Sequence, residues 1–152
     1  MNVKTIKTAF LTAALLTIPM AYAETSALSS VAVDVSHLPT RSRPAGTVSH
    51  LAQDGERSSM ALVRSLSKGE ATPAHQPGRN DVRLAIVIEG TIFHGIGETV
   101  DPERETAYTP GDVLLLSPSD TYWIAAREND ARLLIVFLDE GSLHPSALEM
   151  MR

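Results

Sequence analysis

The chain has 152 residues, a formal net charge of −5, 43% hydrophobic residues and no cysteine. An acidic balance with scattered arginines leaves no electrostatic footprint for nucleic acid or anionic lipid. The missing cysteines exclude disulfide staples and a lipid-modified cysteine, and a chain of this length buries a core without either.

Residues 1–23 read as a signal peptide. Lys4 and Lys7 give a positive start, residues 8–20 are apolar and uncharged, and Ala21 and Ala23 supply small residues for cleavage before Glu24. The apolar run is short for a membrane span and is interrupted by Pro19. The expectation is export to the periplasm or beyond, with no membrane attachment after cleavage.

Residues 24–50 read as an N-terminal arm and edge strand. Residues 31–35 alternate as a strand would, residues 38–46 hold two prolines and a glycine, and 47–51 form a weak strand. The main barrel is expected over 51–140, with a tail at 141–152. Within it, 53–56 reads as a turn and 58–66 as a strand. Residues 83–89 are a strong apolar strand closed by Gly90, with 91–94 as its hairpin partner. The stretches 95–97 and 101–105 form a polar, acid-rich loop. The unbroken run 113–116 suits a strand buried on both faces, and 122–126 and 132–138 complete the pattern. Only 145–150 offers a helical turn, with Pro145 at its first position. Short strands split by Gly, Pro and Asp turns argue for an all-β sandwich or barrel.

Two ordered motifs sharpen this. The first runs Gly69-Glu-Ala-Thr-Pro-Ala-His75 and reaches Ile-Val-Ile-Glu-Gly at 86–90. The second is Thr-Pro-Gly-Asp-Val-Leu-Leu-Leu-Ser-Pro at 109–118. The pair resembles the two motifs of the cupin superfamily, and the stretch 82–101 is similar to small exported bacterial cupins. The resemblance implies a single-domain cupin-type jelly-roll β-barrel and a homodimer, the latter also suggested by the apolar strand 133–138. It implies no single activity, since one fold hosts many.

The family's metal ligands are mostly replaced. His75 stands at the first histidine position, whereas Pro77 falls at the second and Arg83 at the glutamate. The third histidine position falls on Tyr122, or on Trp123 in the neighbouring register. One histidine cannot hold a divalent ion, which needs about three protein ligands, and Arg83 would set a fixed cation beside it. The resemblance therefore implies no resident cofactor. Three readings follow. In the first, His75, Arg83 and Tyr122 bind a small carboxylate or phosphate, and arginine's fork matches a carboxylate in bidentate fashion; Trp123 is read first as a core and dimer-contact residue, with a stacking wall for the ligand as the alternative. In the second, His75, Asp81 and His94 hold a divalent metal such as iron, manganese or zinc in a dioxygenase-like or isomerase-like enzyme. In the third, the barrel is an interaction unit that uses the acidic loop 101–105. More ordinary roles stand beside these: His75 bonded to a backbone carbonyl or to Tyr122, and Arg83 paired with Asp81 or another acid. His37, His50 and His144 lie outside the motifs and are expected to be exposed. No Gly-x-Ser-x-Gly elbow occurs.

Overall fold

A computed structural model describes residues 30, 32–54, 58–77 and 81–151. The signal-peptide reading of 1–23 lies outside the described residues, as do Gly55 and Glu56 of the expected turn. Val33–Arg152 forms one compact unit. Among the described residues no helix is long and apolar enough to cross a membrane.

The described strands are β1 (Arg41–Ser42), β2 (Thr47–Asp54), β3 (Ser58–Leu66), β4 (Val82–Glu89), β5 (Ile92–Ile96), β6 (Thr106–Tyr108), β7 (Val113–Leu116), β8 (Tyr122–Ala125) and β9 (Ala131–Leu138). They form a six-stranded sheet, β1-β2-β3-β9-β4-β7, and a three-stranded sheet, β6-β5-β8. Every strand pair is antiparallel. One short helix, α1 (Pro145–Met150), follows with Pro145 in its first turn, as expected, and His144 Nδ1 accepting from the Ser146 N–H.

Alternation along the strands builds the core. Successive side chains of a strand leave opposite faces, so every second residue enters the space between the sheets. On β9 the buried members are Ala131, Leu133 and Ile135; on β4 the inward set is Arg83, Ala85 and Val87; on β7 it is Leu114 and Leu116. Ile92 of β5 and Tyr122 and Ile124 of β8 close the core from the smaller sheet. The result is the all-β, two-sheet barrel that the motifs imply.

Several expectations are corrected. Residues 91–94 do not form a hairpin with β4. Gly90, at φ +70, turns the chain out of the larger sheet, and β5 pairs with β6 and β8 instead. A Cβ at Gly90 would lie 2.1 Å from the Asp130 carbonyl oxygen, so this crossing needs a residue without a side chain. Residues 35–37 form a 3-10 turn capped by Asp34, in place of the end of an edge strand; the side chain of Asp34 accepts from the Ser36 N–H and offers an alternative to pairing. The larger sheet starts within the expected arm, at β1 and β2, and β2 continues through Gln53 and Asp54. Strand β7 is not buried on both faces: Val113 is 55% exposed because β7 is the sheet's edge and presents its outer side to solvent. Of the outlying histidines, His37 and His144 are exposed, but His50 is half-buried, since it sits in β2 directly opposite the core residue Leu62.

Candidate functional site

The first motif is zipped along β8. Gly69 N–H donates to the Ala126 carbonyl at 2.6 Å, Thr72 N–H to Ile124 at 2.9 Å, and His75 and Tyr122 exchange backbone bonds of 3.0 and 3.1 Å. Thr72 Oγ1 also accepts from the Ile124 N–H at 3.0 Å. These bonds bring the motif histidine beside Tyr122, with ring centroids 5.2 Å apart. The two are therefore neighbours across the sheet although far apart in the chain.

Arg83 is the second residue of β4 and stands directly opposite Leu116 of β7 and Phe137 of β9. Directly opposed residues share a face, so Arg83 projects into the barrel. Its guanidinium carbon lies 5.3 Å from the centre of the Phe137 ring, a cation–π distance, and its Nη1 donates to Tyr122 Oη at 2.8 Å. Burial pushes the Tyr122 hydroxyl above its usual pKa, although the guanidiniums of Arg83 and Arg64 act the other way. The phenol therefore stays protonated at neutral pH.

The structure adds a residue that the motif comparison misses. Arg64 of β3 lies opposite Leu133 of β9 and enters the same cavity as Arg83. Its Nη2 donates to the Ala45 carbonyl, and its Nε is buried with no partner among the described residues. Burial lowers its pKa, and the positive charges of Arg43 and Arg83 lower it further. Neither Arg64 nor Arg83 has an ion-pair partner among the described residues. The expected Arg83–Asp81 pairing is not formed. The signal for Arg64 was local: in the run Leu62, Arg64, Leu66, an alternating strand sends the arginine to the same face as two leucines.

The cavity that these side chains share has a volume of about 40 Å³ and is also lined by Thr72 and His75. His75 is exposed, so it marks the cavity's mouth. Its Nδ1 lies 2.9 Å from the Pro73 carbonyl oxygen. A carbonyl only accepts, so Nδ1 carries a proton. The backbone-carbonyl role weighed for His75 is thus the one adopted.

Trp123 is not part of this site. It is the neighbour of Tyr122 on β8 and points to the opposite face, where it is fully buried. It lies across Gly95, where a Cβ would come within 2.1 Å of its Cζ2. Its Nε1 donates to Glu105 at 2.6 Å, and Arg127 reaches the same carboxylate through Nε at 2.9 Å and Nη2 at 2.5 Å. The Glu105 side chain is 1% exposed, and the guanidinium of Arg127 holds its carboxyl below the usual pKa. Trp123 can serve neither as a stacking wall nor as a dimer contact, because it has no free surface. Glu105 is likewise withdrawn from the acidic loop, and Asp101 caps a 3-10 turn at Pro102–Arg104.

The alternative metal donors do not come together. His94 packs on the other side of Tyr122, centroids 5.5 Å apart, and lines a separate groove of about 620 Å³ between β6 and β7. Asp81 precedes β4 and lines neither space. Among the described residues no three His, Asp or Glu side chains are grouped so as to hold a metal ion. With two guanidiniums directed into the cavity, the residues present do not fit a divalent cation.

No protein-family model matches the chain, and no curated protein matches it in sequence. Solved structures do. The cupin domain of Cnp3 from Schizosaccharomyces pombe superposes with a TM-score of 0.57 at 13% identity, covering 73% of this chain and 75% of that one. The polyketide cyclase RemF from Streptomyces resistomycificus gives 0.55 at 17% identity, covering 72% and 79%. A predicted oxalate decarboxylase from Thermotoga maritima gives 0.55 at 15% identity, covering 71% and 98%. Two antiparallel sheets closed around an inward-facing core define a jelly-roll barrel. The chain has the cupin fold.

Proposed function

We propose that this is an exported cupin-fold protein that binds a small anionic molecule in its barrel without a metal. The observation that carries the reading is the pair Arg64 and Arg83. Two guanidiniums enter one small, largely apolar cavity, and among the described residues neither forms an ion pair with a carboxylate. A desolvated charge without a partner is costly, and an incoming carboxylate or phosphate relieves that cost at Arg64 while Arg83 offers it a second set of donors. Arg83 is already oriented by Phe137 and Tyr122, so little side-chain freedom is lost on binding. The test is a thermal-shift panel of small carboxylates and phosphates. Binding at 100 times Kd stabilises the folded state by about 2.7 kcal/mol, and Arg83→Ala abolishes the shift. A panel without hits, or hits that survive that substitution, would sink the reading.

Export rests on the character of residues 1–23 and places the protein in the periplasm or outside the cell. Mass spectrometry of the mature protein should find Glu24 at its N-terminus. We also propose a homodimer, supported by the outer face of the larger sheet. There Ile88 of β4 is 39% exposed and Val113 of β7 55%, and Leu134 and Val136 of β9 are only half-buried. A single species of monomer mass in light scattering would refute it.

A further inference from the structure

The anion cavity is lined by two unlike sets of side chains, and the contrast narrows its ligand. Thr72, His75, Arg83, Tyr122 and Arg64 supply its polar groups. The remaining wall is aliphatic and includes Ile92, Leu114, Leu116, Ile124, Leu133 and Ile135. Resting on the anion-site reading, we infer that the ligand is a short aliphatic monocarboxylate. Its carboxylate sits among Arg64, Arg83 and Tyr122, and its alkyl tail lies against the leucines and isoleucines.

Charge, chemistry and size each point the same way. The site holds two guanidiniums, and the Glu70 carboxylate acts on Arg64 from a distance. Both Glu70 oxygens are occupied by backbone donors, Gly46 N–H at 3.1 Å and Ser67 N–H at 2.7 Å, so Glu70 offsets charge without filling the cavity. Arg43 also acts on Arg64, and more strongly than Glu70 does, so the local balance stays positive and suits a small anion. Donors for its carboxylate are present: Arg64 Nε is unpartnered, and Arg83 commits only Nη1 to Tyr122. A second carboxylate, or a row of hydroxyls, would have to face side chains that offer no hydrogen bond, a desolvation cost that nothing there offsets. A volume of about 40 Å³ admits roughly three or four water-sized groups. That is about the size of acetate, so the fit ends within one or two added carbons and leaves too little room for a sugar acid.

The experiment is calorimetric titration of the full mature chain with formate, acetate, propionate, butyrate and hexanoate, and with malonate and inorganic phosphate, all at constant ionic strength. Affinity should rise about fourfold for each methylene added, up to propionate or butyrate, and fall at hexanoate. Malonate and phosphate should bind about tenfold more weakly than propionate, or worse. Both Arg64→Met and Arg83→Met should weaken propionate at least about tenfold while the circular dichroism spectrum is kept. Where a methionine variant does not fold, Arg83→Lys replaces it; lysine keeps the charge but not the fork, and the same loss is expected. A flat chain-length series, or malonate or phosphate binding best with sensitivity to Arg83, overturns the monocarboxylate and leaves the anion site standing. Absence of binding by every anion, or binding indifferent to both arginines, overturns both.

Discussion

Glu105→Gln tests the physical account of the barrel's outer lock. The wild-type carboxylate is 1% exposed and accepts three hydrogen bonds, one from Trp123 and two from Arg127. Glutamine has nearly the same shape but carries a donor amide where a carboxylate oxygen accepts. One of the three N–H groups must then face another N–H, and Arg127 loses its counter-charge. Breaking a buried pair costs about 3–5 kcal/mol. Arg127 is 28% exposed and partly recovers hydration, so the expected cost is about 2–3 kcal/mol. For a unit of the size of Val33–Arg152 this is a fall in Tm of roughly 7–11 °C. Thermal and urea melts of the two proteins measure it. The pH dependence is a second check. Glu105's folded-state pKa is depressed, so its contribution is fully present above the unfolded value, about 4.3, and is lost as pH falls through the folded one. The gap between wild type and variant should therefore narrow below about pH 4. A variant that melts within about 2 °C of wild type, or a gap that ignores acid, would refute the reasoning.

Burial holds His94 below its usual pKa, with Asp120 opposing the shift, and its Nε2 lacks a partner among the described residues. A lowered histidine pKa means that the unfolded state takes up the proton first. Wild type should lose stability as pH falls below about 6.5, and His94→Phe should flatten that slope in melts at successive pH values. Gly95→Ala would drive a Cβ into Trp123 and should cost about 1–3 kcal/mol; a neutral result in urea denaturation would contradict the Trp123 placement. Elemental analysis of protein purified without chelator should find well under one divalent ion per chain. Stoichiometric iron, manganese or zinc that disappears in His75→Ala would restore the metalloenzyme reading.

The barrel was legible because its signals are local. Gly90 and Gly111 adopt positive φ at the turns that the motifs mark, and the apolar runs became β4, β7 and β9 with small shifts at their ends. The partnership of β5 was not legible. A glycine after an apolar strand is compatible both with a hairpin and with a departure to a second sheet, and only the crowding of Gly90 against Asp130 separates them. The site was half legible. Family spacing pointed to His75, Arg83 and Tyr122, and all three line the cavity. Trp123 and Tyr122 could not both face inward, and the choice between them depended on register. Arg64 lies outside both motifs, so spacing could not reach it. Its inward position was written in the alternation of β3.

Strand β9 lies between β3 and β4 in the larger sheet, yet it follows both of them, and every other described strand, in the chain. During synthesis β3 and β4 therefore wait, each with an open edge, until residues 131–138 have emerged. Sheets closed by such distant pairings fold slowly. Until β9 emerges, the larger sheet lacks the strand that joins its two halves. The same delay leaves two strands open to association with the wrong partner, so a chain truncated before residue 131 should aggregate instead of folding as a smaller barrel.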